Sequence, residues 1–268
     1  MDKKILFAIA TLVLLGAATI AAYEFWQSGH HNTETIQANN TPPPFPAPAP
    51  IAPPAATAAP AQPPLPPLAQ SDSFVFDALA GVVANRTLLK IFHAEQIVHN
   101  IVVTIDNLPQ QRVPVNVMPF SPPSGRFLAA GSADHLTISS RNANRYAAYV
   151  SIAEAVDAKK LVELYVRLYP LFQQSYKELG YPNDNFNDQL NDTLDDLLDT
   201  HDITGPIKLV QPRYFYLYAD PDLEARSIGQ KIMLRLGSKN LAIIKNKLSE
   251  IKQELALHSN ELRTRNAD

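Results

Sequence analysis

Thirteen of the chain's 23 prolines lie between Pro42 and Pro67, and that one segment divides the molecule. Proline fixes φ, donates no backbone hydrogen bond and biases the residue before it toward extended conformations, so the stretch from Thr41 to Leu68 suits neither helix nor sheet. With alanine filling most of the gaps, it reads as polyproline II, a semi-rigid spacer rising about 3.1 Å per residue and spanning about 80 Å. Polar residues from Gln27 to Asn40 precede it, which makes 27–70 a stalk. Pro-x-x-Pro spacings such as Pro43 to Pro46 suit a partner groove, but a spacer accounts for them without one.

Upstream of the stalk, Met1-Asp2-Lys3-Lys4 runs into Ile5 to Tyr23, nineteen residues without a charge. As a helix this run would be about 28 Å long, close to the hydrocarbon thickness of a bilayer. Tyr23 and Trp26 follow at the depth of an aromatic belt, and no Lys or Arg occurs between Lys4 and Arg86. Basic residues mark the cytoplasmic side. Residues 1–4 are therefore expected as a cytoplasmic tail and 5–26 as a single-pass anchor, held in the membrane through Ile5 to Trp26, with the rest of the chain outside. A cleaved signal peptide, cut near Gly16 and Ala18 or Thr19 and Ala21, is the competing reading. Its apolar region has about 7 to 15 residues, shorter than this one, and it delivers the domain to the same side.

Past the stalk, residues 71–258 form the expected domain, large enough to bury roughly 70% of its unfolded-chain surface without metal or disulfide. Cysteine is absent, which excludes thiol catalysis and cysteine-bound zinc or iron–sulfur sites. With 23 basic and 26 acidic residues, a net charge of −3 and no basic block, the chain has no electrostatic footprint for nucleic acid.

Periodicity makes the domain mainly α, a multi-helix unit with a small β-hairpin element. Ser71-Asp72-Ser73 offers cap oxygens to a short helix that Gly81 weakens, and a longer amphipathic run begins near Thr87 and stops at Asn107-Leu108-Pro109. Val113, Val115 and Val117 alternate, and Arg126 to Ala129 and His135 to Ser139 flank Gly131-Ser132-Ala133-Asp134 as a hairpin. Helical spacing returns from Asn142 to Ala158 and resumes from Leu161 to Leu179, where Pro170 predicts a kink. Leucines from Leu190 to Leu198 mark another helix. Pro206 to Tyr218 fits strand or helix alike.

Toward the C-terminus, Pro221 opens a helix that Gly237 closes, and Ser238 caps a last one to about Leu257. Its Leu241, Ile244, Leu248, Ile251 and Leu255 suit docking on the domain's own core, or a coiled-coil homo-oligomer through this helix. Residues 259–268 read as a frayed tail.

The motifs of chemistry are missing: no phosphate loop, dinucleotide fingerprint, nucleophile elbow or His-Glu-x-x-His helix occurs. Ser249-Glu250-Ile251-Lys252 has a Ser-x-x-Lys spacing without its Lys-Thr-Gly partner, and His93-Ala94-Glu95 lacks the cysteines a zinc deaminase needs. Asn183 to Asp188 lacks the glycine and distal glutamate of a calcium loop. No catalytic residue, metal ligand set or cofactor is assigned.

Two features remain. Asp188, Asp192, Asp195, Asp196 and Asp199 form a carboxylate stripe opposite an apolar face, either solvated or matched by a cation, a basic partner, or Lys and Arg from elsewhere in the domain. Tyr165, Tyr169, Tyr176, Tyr181, Tyr214, Tyr216 and Tyr218 occur near Gln173, Gln174, Gln211 and Arg213, as a core edge or as the lining of a groove. The candidate binding residues are Asp106, Tyr176, Tyr181, Asn187, Asp188, Gln211 and Arg213.

Asp106-Asn107-Leu108-Pro109, Leu168-Tyr169-Pro170-Leu171-Phe172-Gln173-Gln174-Ser175-Tyr176, Glu178-Leu179-Gly180-Tyr181-Pro182 and Phe186-Asn187-Asp188 continue into Gly205-Pro206-Ile207-Lys208-Leu209-Val210-Gln211-Pro212, Ala219 to Ala225 and Gly229-Gln230-Lys231. Through these segments the domain resembles a bacterial membrane-anchored family, domain of unknown function 3014. The resemblance runs from roughly Leu68 to Leu255 and is loosest from Val113 to Ser140, where Gly125-Arg126-Phe127 carries it. It implies the same anchor and spacer, and no activity, ligand or catalytic residue. The expectation is a periplasmic domain on a bacterial inner-membrane anchor, serving as an envelope interaction or scaffold module with an envelope protein or the cell wall as partner. The alternative is a periplasmic hydrolase or small-ligand or glycan-binding enzyme using Asp106 or Asp188 in the tyrosine-rich groove.

Overall fold

The computed structural model describes residues 63–82, 93–111, 123–132, 134–202 and 204–267. The anchor expected at 5–26, most of the expected stalk, the start of the run near Thr87 and the alternating valines at 113–117 lie outside the described residues. Among the described residues no helix is long and apolar enough to cross a membrane.

Among the described residues ten α-helices and four short strands follow in order: α1 (Asp72–Val82), α2 (Ile97–Asn107), β1 (Ala129–Ala130), β2 (Leu136–Ile138), α3 (Asn142–Arg145), α4 (Ala147–Ala155), α5 (Ala158–Glu178), α6 (Phe186–Leu198), β3 (Lys208–Val210), β4 (Leu217–Tyr218), α7 (Pro221–Glu224), α8 (Ile228–Arg235), α9 (Ser238–Leu257) and α10 (Ser259–Ala267). The axis of the packing is α5, which touches α2, α6, α9 and α10.

Helix α5 starts where Asp157 accepts the Lys160 N–H at 3.2 Å, and it continues through Pro170 as one helix to Glu178. A proline inside a helix costs about 3 kcal/mol, whereas each large apolar side chain buried returns about 1.5–3 kcal/mol. Leu161, Val162, Tyr165, Val166, Leu168, Tyr169, Leu171, Phe172 and Tyr176 are all buried from this one helix, while Pro170 stays on the exposed side. Tertiary packing therefore outweighs the local break.

Helix α2 begins at Ile97, later than the amphipathic pattern suggests, and His93 lies ahead of it. Gln96 has φ 51, a left-handed conformation that ends any helix arriving from upstream. The start has no local cap. Instead the Asp72 carboxylate, from the first turn of α1, accepts the N–H groups of Gln96 at 2.7 Å and Ile97 at 2.9 Å. Asp72 thus caps the next helix rather than its own.

Three further elements differ from the sequence reading. The segment opened by Pro221 is two helices, because Ser227 caps α8 afresh by accepting the Gln230 N–H at 3.1 Å. Gly237, at φ 79, is the residue before α9, and Ser238 is inside that helix rather than its cap. The polar C-terminal stretch is helix α10, held by Leu262, which is 1% exposed and part of the main core. At the other end the packed part begins before Ser71, since Leu65 and Leu68 lie against the core and Leu68–Gln70 forms a 3-10 turn.

The apolar stripe of α9, Leu241 to Leu255, is taken up by the domain's own core against α4, α5 and α6. The seam a coiled coil would use is therefore occupied from within.

The strands make one antiparallel sheet in the order β1-β2-β3-β4. The expected hairpin pairs Ala129 with Ile138, and Pro206 to Tyr218 resolves into a second hairpin pairing Leu209 with Tyr218 and Val210 with Leu217. Leu136 opposite Leu209 joins the two hairpins. The β1–β2 turn needs Gly131, at φ 100, because a Cβ there would lie 2.1 Å from the His135 carbonyl oxygen. Buried Asn142 ties this hairpin to α3, accepting from Leu128 N at 3.0 Å and donating to Leu128 O at 2.6 Å. Leu209, Tyr218 and Leu234 form a small second core beneath the sheet.

Candidate functional site

Tyr176 lies in the last turn of α5, and Gly180, at φ 120, reverses the chain behind it. The Tyr181 N–H then reaches the Tyr176 carbonyl at 3.4 Å and the Gly180 N–H reaches Lys177 O at 3.2 Å. That is a Schellman ending, whose side-chain contact joins the residues three before and two beyond the helix. Here the contact is the Tyr176–Tyr181 stack, with ring centroids 4.6 Å apart. The Tyr181 hydroxyl donates to Asp106 Oδ2 at 3.3 Å, from the end of α2.

Asp106, Tyr176 and Tyr181, all named from sequence, thus meet at one corner. Burial raises the Asp106 pKa above the ordinary 3.8, against the opposing hydrogen bond from Tyr181. Tyr176 is pushed up to about 12, chiefly by burial, with the charges of Asp106, Asp184 and Asp192 adding. The shifts stabilise neutral forms, and the corner works as a helix terminator braced by a carboxylate.

Asn187 and Asp188 sit in the first turn of α6, whose cap is the Asn185 side chain accepting the Asn187 N–H at 2.8 Å. Asn187 is buried and its Oδ1 has no partner, while Asp188 is exposed at the helix N-terminus, where a negative charge is favoured. The loop ahead of them is held by buried Gln173. Its Oε1 accepts the Phe186 N–H at 2.9 Å, its Nε2 donates to Asp184 O at 2.8 Å, and the Tyr169 hydroxyl lies 2.9 Å from Oε1. Tyr165, Tyr169 and Tyr176 are core residues packed with Phe172 and Phe186, so the core-edge reading of these tyrosines holds.

Much of the carboxylate stripe is answered inside the domain. Asp195 pairs with Lys252 of α9, and Asp199 with Arg226 at 3.3 Å. Asp196 is half-buried, accepting from Ser227 Oγ at 2.6 Å and Gln230 Nε2 at 3.0 Å, and its pKa is raised, burial outweighing those bonds. Asp188 and Asp192 remain exposed. Among the described residues no group of three or more His, Cys, Asp or Glu is placed to hold a metal ion.

Gln211 and Arg213 belong to a different place, the loop joining β3 to β4. Both are exposed, and among the described residues no hydrogen bond or ion pair ties them to the Asp106 corner. Around them Val210 is 45% exposed, Tyr214 79% and Leu217 37%. Val210 and Leu217 are directly opposite across the hairpin. Tyr214 belongs to the tyrosines noted from sequence, whereas Val210 and Leu217 were not singled out; the available signal was the apolar content of a turn also holding Pro212 and Arg213.

A cavity of about 760 Å³ opens where the β1–β2 and β3 edges, α3 and the start of α9 converge. Ser139, Ser140, Asn144, Arg235, Lys239 and Asn240 are among its polar lining, and among the described residues no Asp or Glu lines it. Sequence held no sign of it, because its walls come from segments distant in the chain.

These features define a class: an α-helical domain with a four-stranded antiparallel sheet, presenting an exposed hairpin and a carboxylate-free cavity. The family described as "Protein of unknown function (DUF3014)" matches residues 97–252, more than half of the 268, and this chain belongs to that family. The matched region starts at α2 and ends within α9, narrower than the Leu68 to Leu255 resemblance. No curated protein and no solved structure matches the chain.

Proposed function

We propose that the domain is an interaction module, tethered to the bacterial inner membrane by residues 5–26, extended into the periplasm on its proline-rich stalk, and docking an envelope protein through the β3–β4 hairpin. The observation that carries this is the contiguous exposure of Val210, Tyr214 and Leu217 on one hairpin, with Arg213 and Gln211 between them. Tyrosine and arginine are enriched where proteins meet, and a spacer of about 80 Å supports a domain that must reach a partner away from the lipid. The hydrolase reading has less support: among the described residues no carboxylate lines the cavity, and Asp106 is occupied with Tyr181.

The test is a photo-reactive residue placed at Tyr214 in cells, compared with the exposed helical positions Glu163 and Gln253. A discrete adduct at 214 alone, lost when Val210 and Leu217 are changed to Ser and weakened when residues 41–62 are deleted, is the expected result. Equal labelling at all three positions, or an adduct indifferent to the serine changes, overturns the hairpin as the docking surface.

A further inference from the structure

We infer that what docks on the hairpin is an acidic segment of the partner protein, lying across the open face of the sheet. The place rests on the docking reading above; the chemistry of the partner and the extent of the footprint go beyond it. Side chains along a strand alternate between faces, so the register assigns each one. Leu209 and Tyr218 turn inward to the small core with Leu234. Ala130 opposite Thr137, Thr137 opposite Lys208, and Val210 opposite Leu217 make the other face. Among the described residues that face is open: Ala130, Lys208, Val210 and Leu217 are exposed and Thr137 is half-buried.

Charge complementarity names the occupant. Lys208 stands on this face and Arg213 in the turn at its end, and residues 204–219 include no Asp or Glu, although the whole chain carries a net charge of −3. Other cations of the domain are matched from within: Lys231 by Glu224, Lys245 by Asp202, Lys252 by Asp195 and Arg226 by Asp199. Among the described residues Lys208 and Arg213 have no such partner. The acids at the rim do not supply one. Asp220 caps α7, Glu224 holds Lys231 and the Tyr218 N–H, and Asp134 belongs to the β1–β2 turn. A cation set among exposed Val210, Leu217 and Tyr214 meets a partner that brings carboxylates between apolar side chains.

The size of the face sets the form of the partner. Strands lie about 4.8 Å apart, so the four span about 14 Å, the length of four or five extended residues and far less than a folded protein usually covers. The segment lies on the face and does not add a strand at β4, because the outward N–H of Tyr218 is taken by Glu224 Oε2 at 2.8 Å. Ala130 and Thr137 also line the cavity, so the face runs on toward Lys239, another exposed cation without an ion pair among the described residues. A spacer of about 80 Å holding the domain off the lipid favours a protein over a membrane surface as the source of the carboxylates.

The test uses the full-length protein in cells with the photo-reactive residue at Tyr214, comparing the parent with Lys208→Glu and Arg263→Glu. Arg263 is an exposed cation of α10, beyond the far end of α9, a helix about 30 Å long. Lys208→Glu should cut the adduct about fivefold or more, Arg263→Glu should leave it unchanged, and the circular dichroism spectra of the purified proteins should coincide. Mass spectrometry should place the adduct on a protein segment rich in Asp and Glu. The purified full-length protein in detergent should bind a peptide of about eight residues alternating Glu with Leu about tenfold tighter than its Gln counterpart, and Lys208→Glu should remove that preference. An adduct lost on the serine changes at Val210 and Leu217 but indifferent to Lys208→Glu overturns the acidic partner and leaves the hairpin as the docking surface; no adduct at 214 overturns both. An adduct on lipid or on a segment without carboxylates, an equal loss with Arg263→Glu, or equal binding of the Glu and Gln peptides also overturns the acidic partner.

Discussion

Changing Gly229 to Ala sets two known effects against each other at one position. Gly229 is the second residue of α8, where alanine ordinarily gains up to about 1 kcal/mol over glycine. Its N–H donates to Leu108 O at 2.9 Å, and a Cβ there would lie 2.5 Å from Leu197 Cδ2 and 3.2 Å from that same carbonyl oxygen. Leu197 and Leu108 are both 0% exposed, so neither can swing out toward water. Overpacking of this kind costs about 1–3 kcal/mol, and weakening the hydrogen bond adds about 0.5–1.5 kcal/mol. The clash therefore wins, with a net loss of about 1–3 kcal/mol after the propensity gain. Urea unfolding of residues 63–268 should show a lower midpoint at unchanged slope. Leu197→Ala alone should cost about 2–5 kcal/mol, and in that background Gly229→Ala should cost at least about 1 kcal/mol less than in the parent, because the offending methyl is gone. A midpoint for Gly229→Ala at or above the parent, or the same cost in both backgrounds, would refute the close-packing argument.

Other residues make comparably direct tests. Gln173→Leu should cost about 2–4 kcal/mol, since it strands the Phe186 N–H and the Asp184 carbonyl together; a urea midpoint within error of the parent would deny Gln173 its role in holding the α5–α6 loop. Asp72→Ala should cost about 1–2 kcal/mol by removing the cap of α2, and hydrogen exchange should quicken first at Asn100 and Ile101 rather than within α1. Asp106 has a folded-state pKa raised above 3.8 by burial, so its contribution to stability is fully present below that value and is lost as pH rises through the folded value. Asp106→Asn should accordingly flatten the decline in unfolding free energy from acid toward neutral pH, and an undiminished decline would assign it to other groups.

The family segments acquire their meaning from the packing. Asn107-Leu108-Pro109 and Gly229-Gln230-Lys231 are over a hundred residues apart, yet Gly229 N and Ile228 N donate to Leu108 O and Gln110 O at 2.9 and 2.8 Å. Asp196 and Leu197 of α6 close the same junction. The Gln173, Tyr176, Gly180 and Tyr181 segment likewise ends one helix and holds the loop that starts the next. In both places the recognisable residues make joints between helices.

What the amino-acid order determined by itself was whatever depends on neighbours a few residues apart. The mainly helical character, the apolar faces of α5, α6 and α9, the β1–β2 hairpin and the end of α5 at Gly180 follow from periodicity and turn chemistry, which act within one or two turns. Tertiary structure decided the rest, because the deciding partner lay far along the chain. Core packing carried α5 through Pro170, Asp72 capped a helix 25 residues on, Leu262 held a polar tail as α10, and Leu209 opposite Leu136 turned an ambiguous segment into a strand. Asp195, one more carboxylate in a solvated-looking stripe, became half of an ion pair with Lys252. The cavity arose the same way, from the convergence of walls whose residues carry no local sign of one another.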